Sequence, residues 1–75
     1  MTIRYLKKHA VLEGHVAVED AETLTQWLLE QREPAVHLGA CASVHGAVLQ
    51  VLLALHPKVK AMPADPHLAA VLGLA

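Results

Sequence analysis

The spacing of apolar and polar positions changes several times along the chain, and each change marks an element. Ile3-Arg4-Tyr5-Leu6 alternates loosely and reads as a short strand. Lys7-Lys8-His9 is a polar turn and Ala10-Val11-Leu12-Glu13-Gly14 a second strand, so the chain opens as a hairpin. The period then lengthens. Ala21, Leu24 and Leu28 recur at helical spacing, with Trp27 and Gln31 beside the stripe. Glu19, Asp20 and Glu22 place negative charge where a helix start carries partial positive charge. Arg32-Glu33-Pro34 ends this helix, because the residue before a proline avoids helical geometry, and the predicted span is 18–31.

Ala35-Val36-His37-Leu38 follows as a third strand, and the small residues from Gly39 to Ser43 read as a loop. A second helix is predicted from Gly46 to Leu55, ended by His56-Pro57, and Lys58-Val59-Lys60-Ala61-Met62 alternates as a fourth strand. Pro63-Ala64-Asp65-Pro66 is a turn that also starts a third helix, with Asp65 as N-cap and Pro66 at the first helical position. Leu68, Ala69, Val71 and Leu72 form its apolar face. The order ββαβαβα describes one small α/β domain over residues 1–75. Strands separated by helices call for right-handed crossovers and a largely parallel sheet. No internal repeat or low-complexity segment interrupts it.

Composition sharpens this picture. The chain is 55% hydrophobic and 17% charged, with one Trp, one Tyr and no Phe, so the core is aliphatic and the chain is not a disordered one. At 75 residues it buries only part of its unfolded surface, which leaves little stability to spare. Net charge is −1 and no basic stretch exceeds Lys7-Lys8, which argues against a nucleic-acid partner. Six histidines make the charge sensitive to pH near their ordinary pKa of about 6.5. A single cysteine cannot form an internal disulfide and favours a reducing compartment. Arg4, Lys7 and Lys8 are not followed by the apolar run of a signal peptide. The run from Ala47 to Leu55 is broken by Gln50 and falls short of the roughly 20 residues that span a bilayer. A soluble cytoplasmic protein is expected.

Two segments together resemble a known family. Leu12-Glu13-Gly14-His15-Val16-Ala17-Val18-Glu19-Asp20-Ala21 is similar to the strand-to-helix entry of STAS domains, the fold of anti-sigma factor antagonists, where an L-x-G-x-L strand end leads into an acidic helix start. Val36-His37-Leu38-Gly39-Ala40-Cys41-Ala42-Ser43-Val44-His45-Gly46-Ala47-Val48-Leu49-Gln50-Val51-Leu52-Leu53-Ala54 is similar to the family signature V-D-L-S-x-x-x-x-I-D-S-x-G-L-x-x-L-L-x. The match spans about residues 10–62, in the family's order. The departures carry chemistry. The Asp-Ser pair whose hydroxyl accepts phosphate in phosphorylatable members is His45-Gly46 here, and the strand Asp and following Ser are His37 and Gly39. The resemblance thus implies a STAS-like domain without the phospho-acceptor, shortened at its C-terminus, with the second helix and the segment before it as the partner-binding surface.

Several residues invite more than one reading. In the second helix only Gln50 is strongly polar, so either a small domain fills its core with whatever leucine it has, or surplus apolar surface docks on a protein or a second copy. The residues expected at that contact are Val44, His45, Gly46, Val48, Leu49 and Leu52. Ser43, three residues before the lost acceptor, is a candidate phosphorylation position or an ordinary turn or capping residue. His9, His15, His37, His45, His56 and His67 show none of the compact pairs typical of zinc sites, so no metal or other cofactor is expected. Cys41 reads as an inert core residue, or as a thiolate nucleophile if a base activates it. Trp27 reads as packing, and Glu19, Asp20 and Glu22 as helix-end charges rather than catalytic carboxylates. No catalytic residue is assigned.

The function expected is a non-catalytic interaction module of bacterial signalling that binds a kinase-, receptor- or anti-sigma-like protein through residues 39–55 and is not switched at the usual serine. One alternative is a STAS-type accessory subunit of an ABC transporter ATPase, and another a thiol-dependent enzyme or redox protein using Cys41. Homodimerisation is expected where a truncated sheet leaves an unpaired edge.

Overall fold

The computed structural model describes residues 3–73. Strands β1 (Ile3–Tyr5) and β2 (Ala10–Val16) form an antiparallel hairpin whose turn is closed by the Leu6 N–H donating to the His9 carbonyl at 2.9 Å. Helix α1 (Asp20–Glu30) crosses to β3 (Ala35–Val44), which lies parallel to β2, and α2 (Gly46–Leu55) crosses to β4 (Lys58–Ala61), parallel to β3. Helix α3 (Pro66–Val71) follows. The strands lie in the order β1-β2-β3-β4, so the expected ββαβαβα arrangement is present as a mixed four-stranded sheet.

Two rows of side chains across the sheet explain its one-sidedness. Successive residues of a strand point to opposite faces. Tyr5, Ala10, Val36 and Val59 are paired neighbours in one row, and Arg4, Val11, His37 and Ala61 in the next. The first row belongs to the core, together with Ile3, Leu12 and Leu38. The second faces away, where Arg4 and Glu13 form an exposed ion pair at 3.1 Å. Both parallel crossovers advance in the same direction along the sheet, which places α1 and α2 on the same face and against each other. Leu24 and Leu28 of α1, Val48 and Leu52 of α2 and Leu68 of α3 complete the buried cluster. Each fully buried leucine contributes on the order of 1.5–3 kcal/mol. No described element covers the other face.

The helix ends follow local chemistry. Asp20 and Glu22 occupy the first turn of α1, and its last turn is closed by the Gln31 N–H donating to the Leu28 carbonyl. Asp65 caps α3 through Oδ1, which accepts from the His67 N–H at 2.9 Å, with Pro66 at the first turn. Leu68 and Ala69 are buried, whereas Val71, expected on the inner face of α3, is 40% exposed because a helix of six residues turns only part of its surface inward. At the end of α2, His56 takes the left-handed conformation (φ 49°) that lets its N–H reach the Leu52 carbonyl before Pro57.

The largest difference from expectation is β3. Its predicted end at Leu38 and the loop from Gly39 to Ser43 are replaced by a strand running to Val44. Between the pairs Ala10–Val36 and Val16–Val44, β2 advances six residues and β3 eight. The two surplus residues sit at two register shifts in β3. Each shift breaks the two-residue alternation, so the buried positions Val36, Leu38 and Cys41 do not display a strand period.

One polar atom of the core stands out. The Tyr5 hydroxyl is buried without a hydrogen-bond partner among the described residues, while its ring meets Trp27 of α1 at a centroid distance of 5.6 Å. Burial, then the nearby Asp20 carboxylate, pushes the phenol above its ordinary value of 10.0. The folded state therefore holds the neutral phenol more tightly than the unfolded chain does, and this contribution is lost as pH rises through the folded value. Tyr5→Phe is expected to be neutral or to raise stability by up to about 1 kcal/mol near neutral pH, since an unpaired buried hydroxyl costs desolvation. It should also lose less stability than the parent as pH rises past 10.0, measured by thermal unfolding against pH.

Candidate functional site

The ends of β2 and β3 and the start of α2 meet at one end of the sheet, and they bring His15, Ser43, Val44, His45 and Gly46 together there. Gly14 takes a left-handed conformation (φ 64°) beside a register shift in the β2–β3 pairing. Across that shift His15 and Ser43 are paired, and the His15 Nδ1 lies 2.6 Å from the Ser43 Oγ. Both side chains are exposed. The strands then close on α2, with the His45 N–H donating to the Val16 carbonyl at 2.8 Å.

His45 performs the task usually given to Asp, Asn, Ser or Thr at a helix start. Its backbone is extended, and its Nδ1 accepts the Ala47 N–H at 3.1 Å, satisfying one of the donors that a helix start leaves open. Gly46 follows at the exposed first turn, where an added Cβ would meet nothing within 4 Å. Packing does not demand glycine here.

The expected contact residues separate by depth. His45 and Gly46 are exposed and Val44 and Leu49 half-buried, so these four border the surface. Val48 and Leu52 do not: they are 0% and 4% exposed and are the residues that fasten α2 to the sheet. Spacing of four residues puts them on the inward stripe, and the outward stripe is carried by Gln50, Leu53 and Ala54. Leu53 and Ala54 were not singled out in the sequence, though the same helical spacing places them opposite Val48 and Leu52. Beside them a shallow groove of about 400 Å³ runs between α1 and α2, lined by Ala21, Thr25, Ala47, Val51 and Leu55 among others.

Cys41 is buried, 2% exposed, with its Sγ 3.6 Å from the Ser43 carbonyl. Burial pushes its thiol above the ordinary value, only partly offset by the Ser43 backbone. That is the reverse of the shift that activates a nucleophilic thiolate. His37 lies on the uncovered sheet face, its ring centroid 6.3 Å from that of His9, and its Nδ1 accepts the Gly39 N–H at 3.3 Å. The ring rests on Gly39, where a Cβ would come within 2.9 Å of His37 Cε1. Among the described residues no group of three or more His, Cys, Asp or Glu side chains could hold a metal ion. The pairing of His15 with Ser43 was not legible, because 28 residues separate them and the bulges of β3 set their register.

His45→Ala should lower stability by about 1 kcal/mol, or roughly 4–8 °C in Tm for a domain of this size, while His45→Asp should retain the parent's stability. Thermal unfolding of the two variants decides whether the imidazole is needed for its capping acceptor. Comparison with models of known protein families, with curated proteins and with solved structures finds no match to this chain.

Proposed function

We propose that the chain is a STAS-like, non-catalytic interaction module of bacterial signalling, working in the cytoplasm. It would hold a kinase-, receptor- or anti-sigma-like protein at the tip and outer face of α2. The observation that carries this reading is an outward helix face that is apolar and only partly covered by the described residues. Leu53 is 37% exposed and Ala54 is exposed, next to the half-buried Val51 and Leu55, and Gln50 is the only polar side chain of the ten-residue helix. A helix lying on a one-sided sheet ordinarily presents charged and polar residues to water. Contiguous apolar surface in their place is characteristic of contact sites.

The tip of the helix supports the same reading. His45 and Gly46 are exposed side by side, and the open space around Gly46 lets another backbone approach α2 closely. With no hydroxyl at Gly46, a partner cannot be released by phosphate transfer there, and control falls to expression, competition or the state of the partner. Helix α1 and the α1–α2 groove extend the surface, while Val48 and Leu52 serve it from below by fixing the helix. No helix among the described residues is long and apolar enough to cross a membrane.

The double substitution Gln50→Glu with Ala54→Glu tests the reading, because both side chains are exposed on the outward stripe of α2 and the variant should unfold like the parent. Tagged parent protein expressed in its source cell is expected to retain a specific partner that the double variant holds at least about tenfold more weakly, the loss typical of a charge placed in an apolar contact. A signalling kinase or anti-sigma-like protein among the proteins lost supports the proposal, whereas a transporter ATPase transfers the same surface to an accessory-subunit role. Identical retained proteins for parent and variant would remove the α2 face from function.

A further inference from the structure

The opposite end of the sheet, where the parallel strands begin, holds a second feature that the α2 reading does not use. Lys7 and Lys8 in the β1–β2 turn, Arg32 in the α1–β3 turn, and Lys58 and Lys60 of β4 line one open cleft of about 580 Å³. These are five of the six Lys and Arg residues in the chain. The sixth, Arg4, is the one cation with an ion-pair partner among the described residues. Glu33 is the only acidic side chain in the cleft. The turns are held together by the backbone, the Lys58 N–H donating to the Pro34 carbonyl at 2.9 Å. Five cations converge there against the single carboxylate of Glu33, although the chain as a whole has a net charge of −1.

We infer that this end of the molecule is a docking surface for an anionic membrane, with lipid phosphates in the Lys7, Lys8, Arg32, Lys58 and Lys60 cleft. Charge complementarity is the first argument. Four of the five cations are lysines, point charges on flexible stems that follow charge density rather than a fixed ligand shape. The second argument is apolar. Leu6, next to Lys7, is 43% exposed, and Leu29, in the last turn of α1 beside the exposed Glu30 and three residues before Arg32, is 66% exposed. Exposed leucine beside lysine is what an interfacial lipid layer accommodates, and a dissolved phosphate or acidic peptide has no use for it. The cleft lining contains no aromatic side chain on which a nucleobase could stack, which weighs against single-stranded nucleic acid. Glu19, Asp20 and Glu22 sit at the other end of α1, so an anionic surface attracts one end of the molecule and repels the other. The orientation leaves the tip of α2, at the far end, free to meet a partner. The inference does not depend on the α2 reading, since its residues and its probe are different.

Co-sedimentation of the whole chain with phosphatidylcholine vesicles, with and without about 30% phosphatidylglycerol, tests it. Binding should require the anionic lipid and disappear at about 0.5 M salt, where exposed charges are screened. Lys7→Gln with Lys8→Gln should weaken binding by about thirtyfold, from the typical contribution of two basic residues near such a surface. Lys7→Arg with Lys8→Arg should preserve it, and Leu6→Ser with Leu29→Ser should weaken it even though every charge remains. Glu19→Gln with Glu22→Gln, at the other end, should leave it unchanged or strengthen it. Equal binding to neutral and anionic vesicles, or full binding by the lysine-to-glutamine variant, would overturn the inference. So would absent vesicle binding, including the case in which the parent binds a poly-glutamate peptide, inorganic phosphate or single-stranded DNA instead.

Discussion

A chain with 75 residues and no phenylalanine carries enough aliphatic surface to cover one face of a four-stranded sheet, and the structure is organised around that shortage. The row through Ala10, Val36 and Val59 faces the core beneath α1 and α2, and the adjacent row, with Val11 buried and His37 and Ala61 half-buried, faces away from the helices. Residues on the uncovered side must therefore shield themselves. Arg4 and Glu13 pair across the hairpin, the His37 ring lies over Gly39, and Ala35 is buried at the floor of the cleft that Lys58 and Lys60 line. Lysine stems can screen apolar surface in this way while their ammonium groups stay in water. The short edges β1 and β4, three and four residues long, further limit what is left unpaired.

The same shortage governs α2. A helix that seals a thin layer needs only one inward stripe, and Val48 and Leu52 supply it. Leu49, Val51 and Leu55 pack at the margin of the core, which leaves Ala54 and part of Leu53 as the apolar surface that the helix presents outward. His45 fits this division of labour. A residue that caps a helix with its Nδ1 has its Nε2 edge free at the exposed tip, so one side chain both starts the helix and forms part of its outer surface.

Much of this was legible in the residues, and the failures have identifiable causes. Asp65-Pro66 announced α3 because capping is local chemistry, and His56-Pro57 marked the end of α2 for the same reason. The bounds Gly46–Leu55 and the start of β4 at Lys58 followed from apolar periodicity. The end of β3 did not, because its two surplus residues scramble the inward positions and the small side chains of Gly39, Ala40 and Ala42 imitate a loop. Bulges are set by pairing with a neighbouring strand, a non-local event with no signature in a single segment. Val48 and Leu52 were assigned to the surface because the whole helix is apolar, and only the sheet beneath it decides which stripe turns inward.

The spatial placement of charge was likewise not legible along the chain. Read along the chain, the longest basic stretch is Lys7-Lys8, which suggests no electrostatic target. In a sheet whose strands run parallel, however, the connections entering the strands gather at one end and those leaving them at the other. That rule collects Lys7, Lys8, Arg32, Lys58 and Lys60 from three separate segments, and it equally collects His15, Ser43 and His45 at the opposite end. Residues too scattered to form a motif thus become neighbours through topology alone. A small α/β domain can in this way carry two chemically distinct ends, one cationic and one bearing the helix tip, held apart by the length of the strands between them.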